Sequence, residues 1–125
     1  MAAVDRLFVY GTLRPGSDNK QARRLANSAR HLGLATMSGR LYRVSHYPAL
    51  VAAKLPEDSV KGDVFEGVTA ELLQKLDEYE GSDYTRELAE VTTEDGRKLS
   101  AYFYRYALPT DQLEWIRSGD WHSQP

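Results

Sequence analysis

At 125 residues and 42% hydrophobic content, the chain has the length of one domain with a single core, and the expected organisation is one domain over residues 1–125. Its 16 basic and 18 acidic residues leave a net charge of −2, which offers no electrostatic footprint for nucleic acid or an anionic membrane. The absence of cysteine excludes disulfides, thiolate nucleophiles and thiolate metal ligands; with Asp5 and Arg6 interrupting any signal-like start and no membrane-spanning run, a cytoplasmic protein is expected.

Residues 6–10 are apolar and β-branched enough for a buried strand, which runs into Tyr10-Gly11-Thr12-Leu13-Arg14-Pro15-Gly16. That stretch reads as a tight loop: Gly11 and Gly16 can take positive φ and allow close backbone approach, and Pro15 pushes Arg14 toward extended geometry. Several of its N–H groups would lack a sheet partner and be free to point at an anion or a polarised carbonyl. Ser17 or Asp18 then caps a helix over 19–29, with Ala22, Leu25, Ala26 and Ala29 as its apolar stripe.

From Leu32 to Val44 the pattern is strand-like, and Gly33 and Gly39 inside it mark a bulge or a bend, which suits a small barrel. Tyr47-Pro48-Ala49-Leu50-Val51 reads as a turn and a short edge strand, residues 54–59 as a surface loop, and Val60 to Val68 as a further strand. Thr69 caps a helix from Ala70 to about Tyr79, with Leu72, Leu73, Leu76 and Tyr79 as its buried stripe. Two β-rich runs, Tyr84 to Thr93 and Lys98 to Ala107, flank Asp95-Gly96 and read as a hairpin with a two-residue turn. That register sets Glu87 opposite Tyr104 and Arg86 opposite Arg105, and two facing arginines repel unless an anion lies between them or a bulge separates them. A helical turn over Asp111 to Arg117 and a frayed segment from Trp121 to Pro125 complete the chain.

Several familiar chemistries drop out. The glycine spacing of Gly11 to Gly16 has no Lys-Ser/Thr after it, as a nucleotide phosphate loop requires. His31, His46 and His122 lack metal-ligand spacing and read as ordinary surface or core histidines, and no serine sits in a nucleophile elbow. Glu80 is the acid that stands out. It closes the second helix just before Gly81, against the negative end of the helix dipole, and partial burial there would raise its pKa toward that of a working general base. Asp77 and Glu78 are expected to face solvent. Tyr102, Tyr104 and Tyr106 share one face of their strand, near Tyr84 on the neighbouring strand, as core filling or as the wall of a polar pocket.

Tyr10-Gly11-Thr12-Leu13, taken with Leu76-Asp77-x-Tyr79-Glu80-Gly81-x-x-Tyr84-x-Arg86, resembles the gamma-glutamylcyclotransferase-like family, which includes the gamma-glutamylamine cyclotransferases and the plant avirulence-induced proteins. The likeness extends to Tyr47-Pro48-Ala49 and to Ser118-Gly119-Asp120-Trp121. It implies an α+β fold built on a small, mostly antiparallel β-barrel with a few short helices. It also implies a pocket in which Tyr10, Gly11, Thr12 and Leu13 hold a gamma-glutamyl group through backbone N–H groups, and Glu80 is the catalytic acid/base. Tyr84 and Arg86 match motif positions as pocket wall and support. The implied partner is a small gamma-glutamyl substrate that cyclises to 5-oxoproline, with no metal or other cofactor; the aromatic content permits a homodimer as well as a monomer. A barrel that only binds a small amide, and a related amide-cleaving or acyl-transfer enzyme using the same acid, are the alternatives.

Overall fold

All three residues of β1 (Leu7–Val9) are buried, which a strand achieves only when both of its faces are covered. The computed structural model, which describes residues 5–123, shows how. Phe8 points into a closed barrel, where it packs with Val64, Val91, Ala101 and Phe103, while Leu7 and Val9 point outward beneath two helices, among Leu25, Leu72, Leu73 and Leu76. Residues 1–4 and 124–125, which the expected domain of 1–125 includes, lie outside the described residues.

The helices are α1 (Lys20–Ser28) and α2 (Ala70–Glu80), and the remaining strands are β2 (Arg30–Ser38), β3 (Arg40–Val44), β4 (Tyr47–Val51), β5 (Ser59–Glu66), β6 (Tyr84–Thr93), β7 (Lys98–Tyr106) and β8 (Glu114–Trp115). The barrel closes in the order β1-β5-β2-β6-β7, antiparallel except where β7 returns parallel to β1 with Leu7 opposite Tyr102. A second sheet of order β4-β3-β8 stands beside it. This is the α+β, mostly antiparallel barrel with short helices that the family resemblance implies.

Several local expectations change. The run from Leu32 to Val44 is two strands in two sheets: a register shift between His31 and Gly33 bulges β2, and the chain leaves the barrel at Gly39. The cap of α1 is Asn19, whose side chain accepts from the Ala22 N–H at 2.8 Å, and Ala26 of the expected stripe is exposed. The predicted helical turn at 111–117 instead contains β8, which pairs Tyr42 with Trp115. Of the segment expected to fray, Trp121–Ser123 form a 3-10 turn and residues 124–125 lie outside the described residues.

The β6–β7 hairpin forms, but one residue out of the predicted register. Arg86 lies opposite Tyr104 and Thr85 opposite Arg105. The Thr93 N–H donates to the Arg97 carbonyl at 2.9 Å and the Gly96 N–H to the Thr93 carbonyl at 3.0 Å, so the loop is the three residues Glu94, Asp95 and Gly96. Gly96, at φ 86°, supplies the left-handed residue that follows such a turn. The slip also removes the clash of like charges: Arg105 approaches Glu87 at 3.7 Å and Arg86 bonds Asp77.

Candidate functional site

Helix α2 delivers the acid. Thr69 caps it by accepting from the Leu72 N–H at 3.1 Å, and Leu72, Leu73 and Leu76 bury its inner face. Glu80 follows Leu76 by four residues and Leu73 by seven, so the helical period sets it on that same buried stripe. Gly81 ends the helix at φ 81° while its N–H donates to the Asp77 carbonyl at 3.1 Å. Tyr79, expected in the stripe, turns aside; it is 40% exposed and its hydroxyl meets Thr12 Oγ1 at 3.1 Å. Asp77, expected in solvent, is half-buried, accepting from Tyr104 Oη at 2.7 Å and from Arg86 Nε at 2.9 Å.

The loop after β1 supplies the opposite wall. Tyr10 is buried and its hydroxyl donates to the Tyr104 carbonyl, tying the loop to β7. Gly11 has no positive φ; what it requires is space, since a Cβ there would lie 2.3 Å from Pro48 Cγ. Positive φ is left to Gly16 at 87°. The Arg14 N–H donates to the Gly11 carbonyl at 3.0 Å, and Asn19 Nδ2 donates to the Thr12 carbonyl at 2.6 Å. Both carbonyls are thereby turned to protein partners. Among the described residues the N–H groups of Gly11, Thr12 and Leu13 donate to nothing.

Loop and acid meet in one narrow cleft, lined by Phe8 to Leu13, Tyr47, Pro48, Glu80, Tyr84 and Tyr104. It adjoins a broader groove bearing Thr12, His46, Tyr47, Tyr79, Glu80, Asp83 and Tyr84. Of the sequence-predicted site residues, Tyr10, Gly11, Thr12, Leu13, Glu80 and Tyr84 line the cleft, whereas Arg86 does not. Arg86 reaches the cleft only through Asp77 and Tyr104, with its guanidinium 4.6 Å over the Tyr102 ring.

Burial sets the electrostatics. It raises the Glu80 carboxyl from its ordinary 4.5 to about 7, and no hydrogen bond or ion pair among the described residues offsets it. The Tyr84 and Tyr10 phenols are raised by burial and then by the Glu80 charge, and that of Tyr104 by burial and then by its bond to Asp77. All three therefore remain hydrogen-bond donors across the physiological range, with Tyr84 Oη donating to the Pro48 carbonyl at 2.7 Å. A carboxyl able to take and return a proton near neutral pH thus shares its cleft with residues whose backbone N–H groups have no protein acceptor. Among the described residues no group of three or more His, Cys, Asp or Glu side chains is placed to hold a metal ion.

Sequence reasoning missed a charged cluster beneath the loop. Arg14, 7% exposed, bonds Asp63 at 2.7 Å and Asp120 at 2.9 Å, and Asp63 also bonds His31 Nε2 at 2.8 Å. Of its members, the sequence singles out only Arg14, in the loop stretch, and Asp120, in the closing Ser118-Gly119-Asp120-Trp121, neither as a charged partner.

Residues 7–123 match the family model described as "Gamma-glutamyl cyclotransferase, AIG2-like". The chain belongs to this family. It is 34% identical over 119 residues to the gamma-glutamylcyclotransferase family protein YtfP of Escherichia coli K12, covering 93% of this chain and 95% of that one. Against the AIG2-like protein D of Arabidopsis thaliana it is 34% identical over 111 residues, 84% of this chain and 69% of the other. The solution structure of E. coli ytfP superposes with a TM-score of 0.68 at 34% identity, over 94% of this chain and 96% of that one. Within the family, the loop and the Glu-Gly pair that suggested the resemblance are the two elements that meet in the cleft of this chain.

Proposed function

We propose that the protein is a gamma-glutamyl cyclotransferase acting on a small gamma-glutamyl amine or gamma-glutamyl amino acid and releasing 5-oxoproline. The observation that carries the reading is the shared cleft: a partly buried carboxyl with a pKa of about 7 and the loop residues whose backbone N–H groups have no protein acceptor line the same concavity.

A gamma-glutamyl amide carries its own nucleophile. Glu80, ionised, removes a proton from the substrate α-ammonium, and the freed amine attacks the γ-carbonyl carbon, forming the C–N bond of a five-membered ring. The carbonyl oxygen becomes an oxyanion, held by backbone N–H groups of the Tyr10–Leu13 loop. Collapse re-forms the carbonyl and breaks the original amide C–N bond while Glu80 returns its proton to the departing amine; the second proton of the ring nitrogen then passes through Glu80 to that amine, which leaves as an ammonium beside the neutral lactam. Ring closure, bond cleavage and proton transfer balance without a cofactor.

Each part has a scale. A positioned acid/base contributes about 10²–10⁴-fold, and losing one oxyanion donor costs about 10²–10³-fold. Holding the amine over its own carbonyl contributes further, through avoided entropy loss. Tyr84 forms the wall beside Glu80, and Arg86 supports it at one remove through Asp77. A cysteine-free chain performing this reaction suits the cytoplasm.

The test is incubation of purified protein with a panel of gamma-glutamyl amines, gamma-glutamyl amino acids and glutathione, scored for 5-oxoproline. Glu80→Gln, which keeps shape and removes the titrating proton, is expected to stay folded and lose at least about 10²-fold in turnover. Full turnover by that variant would remove Glu80 from the reaction.

A further inference from the structure

The buried charges beneath the loop take no part in the chemistry above, yet taking a guanidinium out of water is expensive unless its partners are well placed. Arg14 has such partners, drawn from two distant parts of the chain. Its Nε donates to Asp63 Oδ2 at 2.7 Å, and its Nη1 donates to Asp120 Oδ1 at 2.9 Å. Asp63 lies on β5, in register with Val9, the last residue of β1, so it is fixed to the strand that launches the loop. It is itself 4% exposed and is further held by His31 Nε2 at 2.8 Å.

Asp120 arrives on the C-terminal strap. There the Ile116 N–H donates to the Leu41 carbonyl at 2.8 Å, and the Lys61 N–H donates to the Gly119 carbonyl at 2.7 Å. The strap lies so close to β5 that a Cβ on Gly119 would fall 2.0 Å from the Ser59 carbonyl oxygen. The backbone of Arg14 closes the other end of the turn, its N–H donating to the Gly11 carbonyl at 3.0 Å. One residue therefore anchors the turn through both its main chain and its guanidinium.

We infer that Arg14, clamped between Asp63 of the barrel and Asp120 of the C-terminal strap, is a positioning residue that keeps the N–H groups of Gly11, Thr12 and Leu13 facing the Glu80 cleft. The inference rests on the proposed role of those N–H groups as oxyanion donors. It assigns a function to the strap, which reaches the loop through the Asp120–Arg14 bond. A lysine could satisfy one aspartate but not both, because an ammonium is a point charge without the planar fork.

The experiment uses the full chain carrying Arg14→Lys, Asp120→Asn or Gly119→Ala, the last moving Asp120 through the backbone alone. Thermal unfolding checks the fold, steady-state kinetics are measured on whichever gamma-glutamyl amide the wild-type protein turns over, and amide NMR signals are followed residue by residue. Oxyanion contacts are made in the transition state, so kcat is expected to fall about 10–100-fold with KM within about threefold. The Gly11, Thr12 and Leu13 amide signals are expected to shift or broaden while those of β6 and β7 hold still. Unchanged loop amides with kcat within about twofold of wild type would overturn the inference. So would equal perturbation throughout the barrel, which marks a merely structural cluster. If the wild-type protein releases no 5-oxoproline from any substrate, the proposed reaction fails, and the loop amides alone still decide what Arg14 positions.

Discussion

Replacing Glu80 by glutamine should make the protein more stable at alkaline pH, and the size of the effect follows from burial. The fold raises this carboxyl from 4.5 to about 7, so the native state binds its proton more tightly than the unfolded chain does. The stability tied to that proton is complete below about pH 4.5 and is lost as pH rises through about 7. At about 1.4 kcal/mol per pKa unit the loss reaches a ceiling of about 3 kcal/mol, and the side chain's remaining contact with solvent lowers the expectation to about 1–3 kcal/mol. Glutamine fills the same space without titrating. Glu80→Gln should therefore match the wild-type protein near pH 4.5 and exceed it by that amount at pH 8, raising the thermal midpoint there by roughly 3–10 °C. Urea unfolding of both proteins at intervals from pH 4.5 to 8 measures the difference directly. A difference that stays flat with pH, within about 0.5 kcal/mol, would mean the carboxylate is solvated at neutrality and would refute the reasoning. The expected gain is also the signature of a group kept for activity at the expense of stability.

Two further substitutions probe the walls of the cleft. In Gly11→Ala the new methyl would sit 2.3 Å from Pro48 Cγ, so strand β4 or the loop must move; a loss of about 1–3 kcal/mol in urea unfolding is expected, and an unchanged midpoint would show that Pro48 yields freely. Tyr104→Phe removes the 2.7 Å donor to Asp77 while leaving its Arg86 partner, and about 1–2 kcal/mol should be lost by the same assay; a neutral result would mean that water replaces the phenol without penalty.

The acid was legible because its signal is local. Three buried leucines set the phase of α2, the residue after Glu80 is a glycine at φ 81°, and the same phase that buries Leu73 and Leu76 carries Glu80 inward. The same reasoning misjudged Tyr79, since at the last turn a tyrosine can swing its ring out to reach Thr12. The hairpin was legible but its register was not, because Asp95-Gly96 serves equally as a two-residue turn or as the end of a three-residue one. Only the Thr93–Arg97 bond, formed in the folded barrel, distinguishes them. Strand β8 has two residues and exists because β3 offers an edge, a tertiary fact with no pattern of its own. The Arg14 cluster was illegible for the same reason: its partners come from β5 and from the C-terminal strap, far apart in the chain, and although Asp120 falls within a motif segment, nothing in the sequence pairs it or Asp63 with Arg14.

The central claim is that one cleft lets a gamma-glutamyl amide attack itself, and the identity of the product tests it most directly. Incubation of the purified protein with a gamma-glutamyl amide, followed by quantitation of 5-oxoproline, glutamate and free amine, should give 5-oxoproline and amine in equal amounts and no glutamate. Glutamate as the matching product would mean that water, not the substrate's own amine, attacks the carbonyl, and would contradict the account.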